Sequence, residues 1–132
     1  MTRNAAPKLL LIDDEPALAA YLADAARMSG FQPVVAKDDS DFRDLLVTEQ
    51  PQMVAVDLGM PGMDGVELLR FLAAEGYAAP VLIISGFDRR ILDSAFRLGE
   101  ALGLNMVGPL EKPTRLADIE RILIKLRPQL VS

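Results

Sequence analysis

Several apolar runs in this sequence end on residues that can do chemistry. Met53-Val54-Ala55-Val56 passes into Asp57 and then into the Gly/Pro stretch Leu58-Gly59-Met60-Pro61-Gly62-Met63-Asp64-Gly65. Leu9-Leu10-Leu11-Ile12 passes into Asp13-Asp14-Glu15, and Val81-Leu82-Ile83-Ile84 delivers Ser85-Gly86. A weaker apolar stretch starting at Asn105 leads to Lys112-Pro113. If these residues meet, Asp13, Asp14 and Asp57 repel one another at neutral pH and require a cation or raised pKa values. An all-oxygen donor set favours a hard divalent ion, Mg²⁺ above all. Lys112 adds a compact positive charge suited to a phosphate oxygen, Ser85 a small hydroxyl, and Gly86 an open backbone. The set suits in-line phosphoryl transfer, with Asp57 as nucleophile, metal and Lys112 neutralising charge, and Ser85 holding an oxygen. Taken alone, Asp57 also has a structural reading, a strand-end carboxylate that caps its own loop.

The elements that would position these residues alternate regularly. Continuous apolar runs bounded by turn residues indicate strands buried on both faces. The spacing predicts strands at 8–12, 33–36, up to Asp57, 80–84 and, most weakly marked, 105–108. Between them lie helical patterns. The first starts at Pro16, carries Leu18, Tyr21, Leu22, Ala25 and Ala26, and stops at Gly30. The second has N-cap candidates Asp38, Asp39 and Ser40, points Phe42, Leu45 and Leu46 inward, and is closed by Pro51. The third runs from about Val66 to Gly76. The fourth follows Asp88 and is expected to turn Ile91, Leu92, Ala95, Phe96 and Leu98 inward, with Arg89-Arg90 as a solvated start. The last follows Thr114 with Leu116, Ile119, Ile122, Leu123 and Leu126, and is expected to end at Arg127-Pro128. Five strand–helix alternations predict an α/β fold with a parallel sheet, and such a sheet gathers its strand-end residues along one edge.

Composition excludes several function classes. The chain has 132 residues, one domain's worth, with no internal repeat, low-complexity segment or linker. It contains no His and no Cys, which removes Ser-His-Asp triads, imidazole or thiolate metal sites, phosphohistidine and disulfides. The lack of Cys fits a reducing compartment, and a cytoplasmic location is expected. A net charge of −5 argues against direct nucleic-acid binding. No apolar run approaches the roughly 18 residues of a membrane span, and the start does not read as a signal peptide, so a soluble chain without membrane association is expected.

With Asp13-Asp14, the run from Asp57 to Gly65, Ser85-Gly86 and Lys112-Pro113 in order at strand ends, the chain resembles the receiver domains of two-component response regulators from about Lys8 to Leu126. The resemblance implies a flavodoxin-like, doubly wound (βα)5 fold with strand order 2-1-3-4-5. It implies one receiver domain over 1–132, core about 8–127, without an output domain in this chain. Asp57 would accept a phosphoryl group from a phosphohistidine on a histidine kinase or phosphotransfer protein. Asp14, Asp57 and the Gly59 carbonyl would hold Mg²⁺ directly, with Asp13 acting mainly through water. Lys112-Pro113 would carry a cis peptide that aims the Lys. The expected output is a changed face of the fourth helix, fifth strand and fifth helix, which would alter a homodimer or a contact with a fused or separate output domain.

Departures from the family pattern are also present. Pro109 stands where receivers usually carry an aromatic residue, which puts the usual coupling switch in doubt and predicts an edge or a bulge. Gly59 offers no side chain to position water and Phe87 is placed to shield the phosphoryl group, so slow hydrolysis is expected. Segment 101–113 looks more like receivers joined to cyclic-di-GMP phosphodiesterase domains than like those of DNA-binding regulators. Two other function classes remain: a constitutive interaction module with idle chemistry, and a Mg²⁺-dependent phosphatase. The complete acidic set speaks against the first, and Gly59, where a second acid is needed, against the second.

Overall fold

A computed structural model describes residues 6–13, 15–58, 65–86, 89–112 and 116–130, apart from the side chains at 116, 129 and 130. Within them, strands and helices alternate in the order β1 (Lys8–Ile12), α1 (Pro16–Met28), β2 (Gln32–Ala36), α2 (Asp39–Glu49), β3 (Met53–Asp57), α3 (Gly65–Ala74), β4 (Pro80–Ser85), α4 (Arg89–Ala101), β5 (Asn105–Glu111) and α5 (Leu116–Leu130). The strands form one parallel sheet in the order β2-β1-β3-β4-β5. The order reverses between β1 and β3, and the crevice at such a reversal is where doubly wound sheets hold their ligands.

Strand side chains alternate between faces, so the apolar runs feed two cores. Leu10, Ile12, Val54, Val56, Val81 and Ile83 pack with Phe42 and Leu46 of α2, Leu68, Leu69 and Leu72 of α3, and Leu92 and Ala95 of α4. Leu9, Leu11, Met53, Ala55, Leu82 and Ile84 pack on the other side with Ala19, Leu22, Ala25 and Ala26 of α1 and Ile119 and Leu123 of α5. The central strands β3 and β4 are buried at every position, which makes their ends rigid platforms.

Local chemistry sets the helix boundaries. Pro16 opens α1, and Asp38 caps α2 by accepting the Asp41 N–H at 2.7 Å. Gln50, left-handed at φ 48°, ends α2 ahead of Pro51. The expected inward face of α4 needs correction. Its buried positions are Leu92, Ala95 and Gly99, while Ile91 is 56% exposed, because a 3.6-residue period centred on Leu92 turns Ile91 to solvent. Asp88 and Thr114, expected as caps, lie outside the described residues.

Both C-terminal elements are longer than expected. β5 continues through Pro109 to Glu111, with a register shift that sets Gly108 and Pro109 opposite Ile83 alone. This is the bulge that a proline in an edge strand predicts. Gly108 has φ +86°, a conformation glycine adopts freely, and a Cβ there would lie 2.7 Å from Leu82 Cδ1. The Gly108–Pro109 peptide is cis. α5 carries Pro128 inside its last turns and runs to Leu130. Pro128 is exposed and forgoes the bond its N–H would have made one turn back, a loss confined to the last turn because only two helical residues follow it. Among the described residues, no helix is long and apolar enough to cross a membrane.

Candidate functional site

Backbone register assembles the site before any side chain is considered. Ile12 pairs with Val56, so Asp13 follows β1 beside the end of β3, where Asp57 sits. Asp57 pairs with Ile84, so Ser85 comes next on β4, and Ser85 pairs with Glu111, the residue before Lys112. The Lys112 N–H donates to the Ser85 carbonyl at 2.8 Å, and the Leu58 N–H to the Ile84 carbonyl at 2.9 Å. One sheet edge therefore aligns Asp13, Asp57, Ser85 and Lys112.

The side chains converge on the lysine. Lys112 Nζ donates to Asp57 Oδ2 at 2.9 Å and lies 3.2 Å from Asp13 Oδ2. Asp13 and Asp57 are nearly inaccessible, at 5% and 3% exposure, and Ser85 is fully buried. Asp13 Oδ1 accepts the Glu15 N–H at 3.0 Å, while the buried Oδ2 has no well-aligned hydrogen bond and faces the Lys112 ammonium at 3.2 Å. Glu15, which sequence reasoning did not assign to the site, brings Oε1 to 3.7 Å from Lys112 Nζ from an exposed position. Its only sequence signal was an acidic residue directly after the strand-end pair.

Electrostatics follow from this geometry. Burial pushes the Asp13 carboxyl above its ordinary range, and the charge of Asp57 pushes it further; the Glu15 N–H and Lys112 only partly offset this. For Lys112, burial favours the neutral amine, but the hydrogen bond and charge of Asp57, then Asp13, prevail and raise its pKa. Lys112 is therefore a firmly held cation shared by two carboxylates, one of which lacks full compensation.

Asp14, Gly59 and Pro113, which complete the expected metal set and the expected cis bond, lie outside the described residues, as does Phe87. Among the described residues, no three carboxylates are grouped to hold a metal. The residues present nonetheless fit a hard cation. Two buried carboxylates stand together, the donors are all oxygen, and Asp13 Oδ2 has no well-aligned hydrogen bond of its own.

Comparison with known proteins agrees with this architecture. Response regulator MprA of Mycolicibacterium vanbaalenii is 30% identical over 81 residues, which is 61% of this chain and 35% of that protein. The chain thus spans about a third of the length of that curated relative. Among solved structures, a response regulator from Colwellia psychrerythraea superposes with TM-score 0.81 at 27% identity, covering 93% of this chain and 98% of that one. A response regulator receiver from Bermanella marisrubri gives 0.72 at 28%, covering 89% and 95%. A Francisella receiver domain, at 23% identity and TM-score 0.79 over 93% of this chain and 98% of its own, shares the fold. The model of the response regulator receiver domain matches residues 9–124, so with the strand order and the edge of strand-end residues just described, this chain belongs to the response regulator receiver domain family.

Proposed function

We infer that the chain is a phosphorylation-dependent signalling switch in which Asp57 accepts a phosphoryl group. The observation that carries this reading is Lys112 Nζ held at 2.9 Å from Asp57 Oδ2 and 3.2 Å from Asp13 Oδ2 at the carboxyl edge of the sheet. A buried carboxylate with a fixed cation beside it is arranged for nucleophilic attack with charge neutralisation rather than for capping a loop.

The donor is a phosphohistidine on a partner histidine kinase or phosphotransfer protein, since the chain has no His of its own. Asp57 attacks phosphorus, the P–N bond breaks, the imidazole leaves with its electron pair and takes up a proton, and an acyl phosphate remains. Lys112 can follow the negative charge from the carboxylate to the phosphoryl oxygens by a small movement of its flexible stem. Ser85 offers its hydroxyl from the neighbouring strand end. Asp13, Asp14, Asp57 and the Gly59 carbonyl would hold Mg²⁺, which when bound neutralises charge on the transferring group. The readout is a changed contact with a second copy or with an output domain through the face of α4, β5 and α5.

Intact mass after incubation with Mg²⁺ and acetyl phosphate tests the reading. Wild type gains one phosphoryl group, and Asp57→Asn gains none. No adduct with either a small donor or a phosphohistidine protein, or an adduct retained in Asp57→Asn, would overturn it.

A further inference from the structure

Glu15 opens α1 without capping it. It is the N-cap residue, a place where Ser, Thr, Asp or Asn usually accepts an N–H of the first turn, and its side chain accepts none. Its backbone is held from both sides: the N–H donates to Asp13 Oδ1 at 3.0 Å, and the carbonyl accepts the Ala19 N–H at 2.8 Å. The carboxylate is left to turn elsewhere, and it turns to the site, with Oε1 3.7 Å from Lys112 Nζ. The three carboxylates around that ammonium differ in one respect. The side chains of Asp13 and Asp57 are 0% and 4% exposed, while that of Glu15 is 67% exposed.

Lys112 occupies contested ground. Its Nζ stands 2.9 Å from Asp57 Oδ2 and 3.2 Å from Asp13 Oδ2, the oxygens that a divalent cation at this edge needs. The two positive charges repel, so the cation binds there only as the ammonium withdraws. An ammonium displaced from both carboxylates would be left unpaired at a cost. We propose that Glu15 is a positioning residue that takes over the Lys112 ammonium when a divalent cation claims the Asp13 and Asp57 oxygens. This rests on the reading of the sheet edge as a metal-assisted phosphoacceptor site.

At 3.7 Å Glu15 lies within ion-pair range of Nζ but outside hydrogen-bonding distance, so a short swing of the flexible lysine stem completes the exchange. Gly86 presents no side chain beside that stem, where a Cβ would lie 3.4 Å from Lys112 Cβ. The hydrated Glu15 carboxylate offers its charge with little desolvation and leaves the buried oxygens to the metal. Its pinned backbone keeps it within reach of Lys112 throughout. A lysine held at the rim, rather than released to solvent, is also at hand for a phosphoryl group on Asp57. The handover adds to metal affinity only what an exposed ion pair is worth, a factor of a few.

The test is a calorimetric Mg²⁺ titration of wild type, Glu15→Gln and Glu15→Asp, with urea unfolding of each in chelator. Asp keeps the charge but is one methylene shorter and is a favoured N-cap, so the α1 N–H groups draw it away from Lys112. Both variants are expected to weaken Mg²⁺ binding roughly two- to fivefold, the size an exposed ion pair sustains. Glu15→Asp is expected to do so while unfolding at the same urea concentration as wild type or a higher one. In a Lys112→Met chain, Glu15→Gln is expected to leave the affinity unchanged. Wild-type affinity in both variants, or a loss confined to Glu15→Gln, would overturn the handover and leave the metal site in place. So would an affinity loss in Glu15→Asp that tracks a loss of stability, or an equal loss in the Lys112→Met chain. A wild type that takes up no Mg²⁺ would bring down both.

Discussion

Asp13 keeps Oδ1 on the Glu15 amide and leaves Oδ2 buried without a well-aligned hydrogen bond, facing Lys112 and the neighbouring Asp57. A carboxylate held this way serves a cation better than it serves the fold. Because burial and Asp57 raise its pKa, the protonated form is the one favoured by folding. Its contribution to stability is fully present below the ordinary value of 3.8 and is lost as pH rises through the higher folded value. Above that folded value, without metal, the ionised side chain is therefore a cost. Asp13→Asn is expected to raise the unfolding free energy in chelator at pH 7 by about 1 kcal/mol, the order of one unsatisfied buried group. The gain should shrink as the pH falls through 4; urea unfolding of both proteins at the two pH values checks it. At this scale the types and strand-end positions of Asp13, Asp57, Ser85 and Lys112 marked them in the sequence as residues that could meet, and the structure brings them together. The Glu15 contact and the Arg89–Glu111 ion pair left no such mark, since an isolated surface charge carries no record of what it faces.

At the scale of elements, the junctions carry specific polar contacts that periodicity cannot show. Tyr77, between α3 and β4, donates its hydroxyl to the Pro51 carbonyl at the start of β3, at 2.9 Å. Burial pushes its phenol far above the ordinary value near 10, so the neutral form is strongly favoured in the fold. The stability this represents is fully present below about pH 10 and is lost as the pH rises beyond it. Tyr77→Phe should cost about 1 kcal/mol at neutral pH through the lost hydrogen bond. The mutant's stability should also fall less steeply than wild type's in titrations above about pH 10, because phenylalanine has no phenol to ionise on unfolding. The β5 bulge belongs to this scale too. Pro109 signalled an edge or a bulge, and the strand continues beyond it because β5 is an edge strand whose register shift leaves Gly108 and Pro109 out of the paired positions.

For the whole molecule, the two cores and the site edge are one construction. β3 and β4 are buried along their full length, and their ends cannot yield independently of the packing around them. A cation held by the strand-end carboxylates therefore stabilises the entire domain. Thermal unfolding with and without Mg²⁺ is expected to show a gain of about 2.7 kcal/mol when the metal is at about a hundred times its Kd. Asp57→Asn should lose most of that gain, and a Mg²⁺-independent melting temperature in wild type would argue against a metal at this edge. Phosphorylation would then add roughly −1.5 to −2 charges to a chain already at −5.

Strand and helix order, most of the core-facing apolar residues (Ile91 and Tyr21 excepted) and the edge on which Asp13, Asp57, Ser85 and Lys112 gather followed from the sequence. They depend on local periodicity, turn residues and the rule that parallel strands share a direction, all of which are written in consecutive positions. Only the tertiary structure decided the rest. Ile91 faces solvent because packing chose the rotation of α4 about its axis, and α5 runs two residues past Pro128. The Arg89–Glu111 contact exists because a bulged β5 sets Glu111 beside Ser85. Each of these depends on where two distant segments stop relative to one another, and that distance is set by the packed core rather than by either segment alone.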